Sequence, residues 1–348
     1  MAKPLITQRT AAQPPRELFA APQLDPAALA DMLPEAQCRT APPDLPALDE
    51  TTLLAHFADL GTCAPPTDSP VAALVRAESL PALTRFHPRQ PLETVQGLLE
   101  VAHEVARALA AMTGIDRFSL QPPTLAAAER AALRVAMALF ARTQPHRVEA
   151  VVPEGSPAAA TAADAGLTVR TTPRLASGDL DPDALMDTVG PNTAAVVASW
   201  LTPAGAFDRS LAAAGEVAHA HGALLCVDAS GLAALVGRTR VRDAGADVVW
   251  LSLRELCPIA SSAALGVRTQ FTEFLPTPLV AKTRAGYELD DELPSTLGEL
   301  ALAPAHMADA LAVYVQLRAL GEPGLRARAE RLVAEANARY DGPRPRLR

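Results

Sequence analysis

The sequence is poor in lysine, in aromatic side chains and in cysteine. Only Lys3 and Lys282 are lysines among its 31 basic residues, so chemistry that needs a lysine amine has two candidate positions. No apolar run reaches the length of a membrane-spanning helix, which excludes a bilayer span. The four cysteines are scattered without a Cys-x-x-Cys pair. We therefore expect reduced thiols in a cytoplasmic protein, and neither a disulfide framework nor a zinc site.

The sequence also has no excess of positive charge. The formal net charge is −8, which argues against a nucleic-acid or anionic-membrane surface. The seven histidines form no metal-spaced cluster, and His219 and His221 are predicted at a helix C-terminus, where a cation suits the dipole. Dinucleotide, Walker and nucleophile-elbow motifs are absent too. The remaining candidates for chemistry must come from the fold itself.

The hydrophobic and charged fractions of the sequence are typical of a folded protein. About half of the 348 residues are hydrophobic (49%) and 20% are charged, enough apolar surface for one large domain or two. Residues 1–50 are rich in proline, which cannot continue a helix or a central strand. We predict an N-terminal arm over 1–60 with a short helix near 26–33, a large domain over 61–290 and a helical C-terminal region over 291–348.

Apolar periodicity predicts an α/β domain. A long helix is expected over 91–113, where apolar residues recur at helical spacing. Strands are predicted at 118–120, 148–152, 167–171, 194–199, 223–227, 248–253 and 264–268, and helices at 126–141, 158–165, 182–188, 210–221 and within 304–340. Short apolar strands alternating with helices indicate a mostly parallel sheet covered on both faces. The last strand is predicted to return antiparallel.

Ligands of open α/β sheets bind beyond the carboxyl ends of the strands. The polar residues predicted there are Gln121, Ser199, Thr202, Asp228, Arg254 and Glu255. Other charges, such as Glu129 and Arg130, are interpreted as the exposed face of a helix.

Asp228 closes a buried strand that follows a helix and a glycine. Enzymes that use pyridoxal phosphate (PLP) place a carboxylate there to pair with the pyridinium nitrogen. Such an enzyme needs a lysine after the next strand to form the imine, and this chain has Glu255 at that place. A structural alternative remains open, in which Asp228 only caps the strand end.

Several longer stretches of the sequence match a known protein family. They are Leu60-Gly-Thr-Cys63, Phe86-His-Pro88, Thr113-Gly-Ile-Asp116, Gly245-Ala-Asp-Val-Val249 and Leu320-Gly-Glu-Pro-Gly-Leu325. Over nearly the whole chain the sequence resembles subunit 2 of glycine dehydrogenase (decarboxylating), the P-protein family of the glycine cleavage system. The resemblance implies a fold-type I PLP-dependent transferase fold with a truncated C-terminal small domain. It also implies a partner subunit, and a reaction that decarboxylates glycine and passes the aminomethyl group to a lipoyl carrier protein.

The chain departs from that family where the family's chemistry lies. The family's His-Lys pair reads Arg254-Glu255 here, and its ring-stacking histidine is Ala127. A carboxylate cannot form an imine, and an arginine is protonated at neutral pH. The glycine of the phosphate-binding turn is lost, although backbone must approach phosphate closely there. Lys282 falls well past the family's lysine.

What remains of the cofactor site by this resemblance is Asp228, Ser199, Gln121 and Arg254. Three functions follow as hypotheses. The chain is a degenerate, non-catalytic homologue acting as a partner, scaffold or regulatory subunit, or it is an enzyme with altered chemistry. In the third, it is a subunit that decarboxylates glycine only with its partner. In each case we expect a homo-oligomer, or a hetero-oligomer with a subunit 1-like protein, with no membrane or nucleic-acid partner and no resident metal.

Overall fold

The structure is a computed structural model that describes residues 90–339, together with residues 48, 49, 51, 52 and 55. Most of the predicted N-terminal arm, including the helix expected near 26–33, therefore lies outside the described residues. In the described part, no helix has both the length and the apolar character needed to cross a bilayer.

Strands and helices alternate through the first two thirds of the described chain. The strands are β1 (Arg117–Ser119), β2 (Glu149–Pro153), β3 (Thr168–Thr172), β4 (Thr193–Ser199), β5 (Leu224–Asp228), β6 (Val248–Ser252), β7 (Ala263–Val267), β8 (Leu279–Lys282) and β9 (Tyr287–Asp290). The helices are α1 (Gln96–Thr113), α2 (Leu125–Thr143), α3 (Ala158–Asp164), α4 (Pro182–Thr188), α5 (Leu211–Ala220), α6 (Leu232–Leu235) and α7 (Met307–Arg339). Seven of the nine strands form one sheet, and β8 pairs with β9 in a separate hairpin.

The large sheet is mostly parallel, in the order β1-β7-β6-β5-β4-β2-β3. Strands β2 to β6 run parallel to one another, whereas β7 is antiparallel to both β6 and β1. The predicted parallel α/β sheet and its antiparallel return are thus confirmed. The register sets Ser199 of β4 directly beside Asp228 of β5.

Both faces of the sheet are buried, as a parallel sheet requires. One face packs on α2 and α3, and the other packs on α1, α5 and α7. In β4 only the last residue, Ser199, is partly exposed, and in β5 only Asp228. The strand ends are therefore the places where polar side chains emerge from the core.

Some details differ from the sequence-based expectation. The helix predicted over 91–113 begins as a 3-10 turn at Leu92–Thr94, and α1 proper starts at Gln96. Gly114 ends it at φ 77°, a left-handed conformation that glycine adopts without strain. The β8–β9 hairpin and the short α6 were not predicted. Helix α7 is interrupted at Gly321, where φ is 57° and ψ is −171°.

Candidate functional site

Asp228 is the last residue of β5, and its carboxylate is held from within the chain. The backbone N–H and the hydroxyl of Ser230 both donate to its Oδ1, at 2.9 Å and 2.6 Å. Burial raises the pKa of Asp228, while the two bonds from Ser230 oppose that shift. The local turn therefore satisfies a carboxyl oxygen of Asp228 with no external group.

Glu255 ends a 3-10 turn, Leu253–Glu255, that directly follows β6. Burial raises the pKa of its carboxyl group to about 7, and the nearby charge of Asp228 adds to the rise. The backbone N–H groups of Ala233 and Gly231 and the guanidinium of Arg328 oppose it. Two buried carboxyl groups, from β5 and from the end of β6, thus act on one another at this edge of the sheet.

Gly231 lets the backbone at the start of α6 pass close to the side chain of Leu201. Its φ is 95°, and a Cβ built there would lie 2.4 Å from Cδ1 of Leu201. Only glycine fits such a place without displacing that leucine. The N–H groups of Gly231 and Ala233, at the start of α6, lower the pKa of Glu255.

Glu129 is a third carboxyl group of this edge, and the prediction of a plain surface residue for it was wrong. Its pKa is raised first by burial, and also by the charge of Asp228, while the hydroxyl of Thr161 donates to it at 3.1 Å. Arg130, its neighbour in sequence, does lie on the exposed face and pairs with Asp164 at 3.3 Å. The sequence signal for Glu129 was its position one turn into the helix that follows the phosphate-binding stretch.

The first turn of α2, where the family resemblance places the phosphate, is capped by its own chain. Thr124 is the N-cap, and its hydroxyl accepts the N–H of Ala127 at 3.1 Å. Leu125 occupies the first helical position of α2. One of the donors that a helix N-terminus offers to an anion is therefore already used.

Gln121 is fully buried and its amide is engaged by another segment. Its Oε1 accepts the N–H of Leu300 at 2.9 Å, and its Nε2 donates to the carbonyls of Ala301 and Ala303 at 3.4 Å and 3.3 Å. The side chain thus fixes the path of residues 300–303. Thr202, also buried, accepts the N–H of Ala206 in a turn.

Arg254 and Glu255 are adjacent in sequence but lie in different environments. The Arg254 side chain is exposed, whereas Glu255 points into the fold. Ser199 is partly exposed and stays next to Asp228 through the strand register. Of the predicted site residues, Asp228, Ser199 and Glu255 are brought to one edge, and Arg254 turns away from it.

The residues at this edge do not fit a covalently held PLP. An imine needs an amine, and the position that follows β6 carries a carboxyl group. Lys282, the lysine of the described range, lies in β8 with its Nζ 5.6 Å from the ring centre of Tyr287. Asp228 raises the pKa of both Glu129 and Glu255, and negative charge on these carboxyl groups disfavours an anionic cofactor.

The sheet order, its covered faces and the acid at the end of β5 define a fold-type I PLP-dependent transferase fold. The family model for aminotransferase class-V matches residues 150–281. The solved structure of glycine decarboxylase (P-protein) of the glycine cleavage system, in inhibitor-bound form, superposes with a TM-score of 0.60 at 23% identity. The superposed region covers 90% of this chain and 72% of the glycine decarboxylase chain.

Sequence relatives narrow the class to a family. The probable glycine dehydrogenase (decarboxylating) subunit 2 of Methylococcus capsulatus is 31% identical over 349 residues, covering 92% of this chain and 71% of that protein. The same-named protein of Caldanaerobacter subterraneus is 30% identical over 336 residues, covering 89% and 68%. The chain belongs to the glycine dehydrogenase (decarboxylating) subunit 2 family.

Proposed function

We propose that this chain is a non-catalytic member of its family, a pseudoenzyme that serves as a partner, scaffold or regulatory subunit of an oligomer. The observation that carries the proposal is the buried carboxyl group of Glu255 at the position where the family resemblance expects the imine-forming lysine. The candidate partner is a second family subunit of the subunit 1 kind, or another copy of this chain.

The contacts of Glu255 support this proposal beyond the missing amine. The backbone N–H groups of Gly231 and Ala233 and the charge of Arg328 lower the pKa of Glu255 against the larger effect of burial, so groups of the chain itself act on this carboxyl group. The self-capped α2 and the Ser230 bonds of Asp228 point the same way. The Asp228 carboxyl group and the first turn of α2 thus each have a partner within the chain.

A second candidate function is an enzyme with altered chemistry, and one observation favours it. A buried carboxyl group with a pKa of about 7 suits general acid or base work at neutral pH. Asp228, whose own pKa is raised by burial, raises the pKa of that group further. In this alternative Glu255 exchanges a proton with a bound substrate.

The first experiment measures PLP binding by absorption and by borohydride trapping. Wild type, Glu255→Lys and Arg254→Lys are compared, because Arg254→Lys adds an amine one residue away on the exposed side and controls for surface adducts. We expect no stoichiometric adduct in wild type, and none in Glu255→Lys above the Arg254→Lys level. A stoichiometric wild-type adduct would overturn the non-catalytic proposal. An adduct specific to Glu255→Lys would show that only the amine is missing.

The second experiment separates the non-catalytic proposal from activity within a complex. The chain is mixed with a subunit 1-like protein and a lipoyl carrier protein, and exchange of the glycine carboxyl group with bicarbonate is followed. We expect a complex by native mass measurement without exchange attributable to this chain. Exchange that disappears in Asp228→Asn would favour the active-subunit hypothesis.

The third experiment concerns the N-terminal arm, which the sequence predicts to be too proline-rich to fold alone. We propose that it wraps a neighbouring subunit. Removing residues 1–50 should then lower the oligomeric mass in solution. An unchanged mass in the shortened chain would contradict this role for the arm.

A further inference from the structure

The β6–β7 loop, residues 253–262, joins two antiparallel strands at the edge of the sheet that carries the candidate site. Its neck is closed by a main-chain bond, in which the N–H of Leu253 donates to the carbonyl of Ser262 at 2.9 Å. Beside the neck, the N–H groups of Leu256 and Cys257 both donate to the carbonyl of Leu253 at 3.0 Å. The start and the end of the loop therefore lie side by side.

The end of the loop is held by Asp309, in the first turn of α7. Its Oδ2 accepts the N–H of Ser262 at 2.7 Å, and the N–H and the hydroxyl of Ser261 at 2.9 Å and 3.2 Å. Hydrogen bonds from main-chain N–H groups to a carboxylate are stronger than those between neutral groups. The first half of α7 thus fixes the main chain where the loop enters β7.

The start of the loop is held by Arg328, in the second half of α7. Its guanidinium donates to the main-chain carbonyl of Glu255 at 3.1 Å and to that of Leu256. Leu325 and Val333, on the same half of the helix, are buried in the core at 3% and 0% exposed. Because both bonds of Arg328 end on carbonyl groups, they fix the backbone whatever side chain stands at position 255.

The break in α7 at Gly321 is what allows both halves to reach one loop. Asp309 and Arg328 are 19 positions apart in the sequence, and a continuous helix would separate their Cα atoms by roughly 28 Å. Their contact points on the loop lie far closer, because the neck is closed and three residues of chain span at most about 10 Å. The difference exceeds the reach of the two side chains. Gly321, at φ 57° and ψ −171°, has a conformation that only glycine adopts without strain.

We propose that α7 is a two-point strap on the β6–β7 loop, in which Asp309 positions the end of the loop and Arg328 positions its start. Gly321 divides the strap, so each end of the loop can be released while the other stays held. The C-terminal region of the chain thereby sets the main chain at the position where the family resemblance expects the lysine. The proposal holds whether or not the chain has enzymatic activity.

Hydrogen exchange of the full chain, resolved to single amides, tests the two points separately. Arg328→Gln removes both carbonyl bonds, so the amides at 256–257 should exchange about tenfold faster, while those at 261–262 stay as in wild type. Arg326→Gln is the matched control, because Arg326 pairs with Glu322 at 3.0 Å on the exposed face of the same half of α7. Its exchange rates should equal those of wild type throughout the loop.

The reverse pattern is expected when the other point is removed. Asp309→Ala should raise exchange at 261–262 about tenfold and leave 256–257 unchanged. Conservative variants should restore part of the protection, because Asp309→Asn keeps one acceptor oxygen and Arg328→Lys keeps the charge with fewer donors. They repeat the test with a smaller disturbance of the fold.

Limited proteolysis gives an independent reading of the start of the loop. Arg254 is exposed, so trypsin cleaves after it once the local turn opens. Cleavage there should be several-fold faster in Arg328→Gln than in wild type, and unchanged in Asp309→Ala. Wild-type exchange at 256–257 in both Arg328 variants, or a rise shared by both ends of the loop and by β5, would overturn the proposal.

Discussion

The interiors of β4, β5 and β6 differ from the carboxyl ends of the same strands in what their side chains do. Along the interiors the side chains are apolar and fully buried, as at Val196 and Leu225. At the ends stand Ser199, Asp228 and, after β6, Glu255, all partly exposed or charged. The interior is the same whether or not a cofactor binds, because its packing is required by the fold alone. By the family resemblance Asp228 and Ser199 are kept and Glu255 replaces a lysine, so a residue at a strand end can change while the packing of the interior stays the same.

The largest expected effect lies in the interior. Leu225→Ala should lower the free energy of unfolding by about 2–5 kcal/mol, since it leaves a cavity among residues that cannot collapse freely. Urea unfolding measures the loss. Leu302→Ala, at a side chain that is 77% exposed, is the control and should cost almost nothing. Equal costs at the two positions would contradict the contrast between interior and surface.

The next largest loss of stability is expected from reversing the charge of Glu255, just after β6. Glu255→Lys places an ammonium group against Arg328 and against the N–H groups of Gly231 and Ala233, so we expect a loss of roughly 3 kcal/mol of unfolding free energy. Arg254→Lys, on the exposed neighbouring side chain, should be neutral. If Glu255→Lys were as stable as wild type, the carboxylate would not be part of the local packing.

The pH dependence of the unfolding free energy should report the protonation state of Glu255. Its pKa is about 7 in the folded protein against an ordinary value of 4.5, so the folded state binds more protons between these values. The resulting stability is fully present below about pH 4.5 and is lost as the pH rises through 7. Between pH 5 and pH 7 the wild type should lose roughly 2 kcal/mol more than Glu255→Gln.

Urea unfolding of both proteins at a series of pH values checks this difference. Asp208, whose pKa is raised to about 6 by burial, contributes in the same window in both proteins and cancels in the comparison. Parallel pH profiles of wild type and Glu255→Gln would mean that Glu255 titrates near its ordinary value and is not in a buried environment.

The smallest expected effect tests the self-capped helix. Thr124→Ala removes the cap of α2 and should cost about 1 kcal/mol of unfolding free energy. Thr143→Ala at the other end of the helix is the control, because its exposed hydroxyl only bonds back to the carbonyl of Leu139. A Thr124→Ala variant that unfolds like the wild type would show that the cap adds nothing to the helix.

The sheet could be predicted from the sequence because its signal is local. Apolar runs such as those of β4 and β5 are bounded by polar residues, and their spacing indicates strands whatever the distant contacts are. Asp228 and Glu255 could be placed at strand ends for the same reason. The β8–β9 hairpin was missed because its strands are short and only partly buried.

The side-chain contacts at the edge of the sheet could not be predicted, since they join residues far apart in sequence. Glu129 looks like one charge of an amphipathic helix until α2 is set beside Asp228. Gln121 has a sequence position suited to a ligand, yet its amide binds residues 300–303. The meeting of Arg328 with Glu255 depends on how α7 folds back after Gly321.

The pairing of β1 has a consequence for how the chain is made. In the described sheet β1 lies at one edge and is bonded to β7 alone, with Arg117 opposite Val267. During synthesis β1 leaves the ribosome long before β7 exists, and closing so long a loop is slow. The apolar sides of helix α1 and strand β1 therefore stay exposed to solvent until most of the domain has left the ribosome. The nascent chain is most exposed to aggregation and to chaperones in that interval.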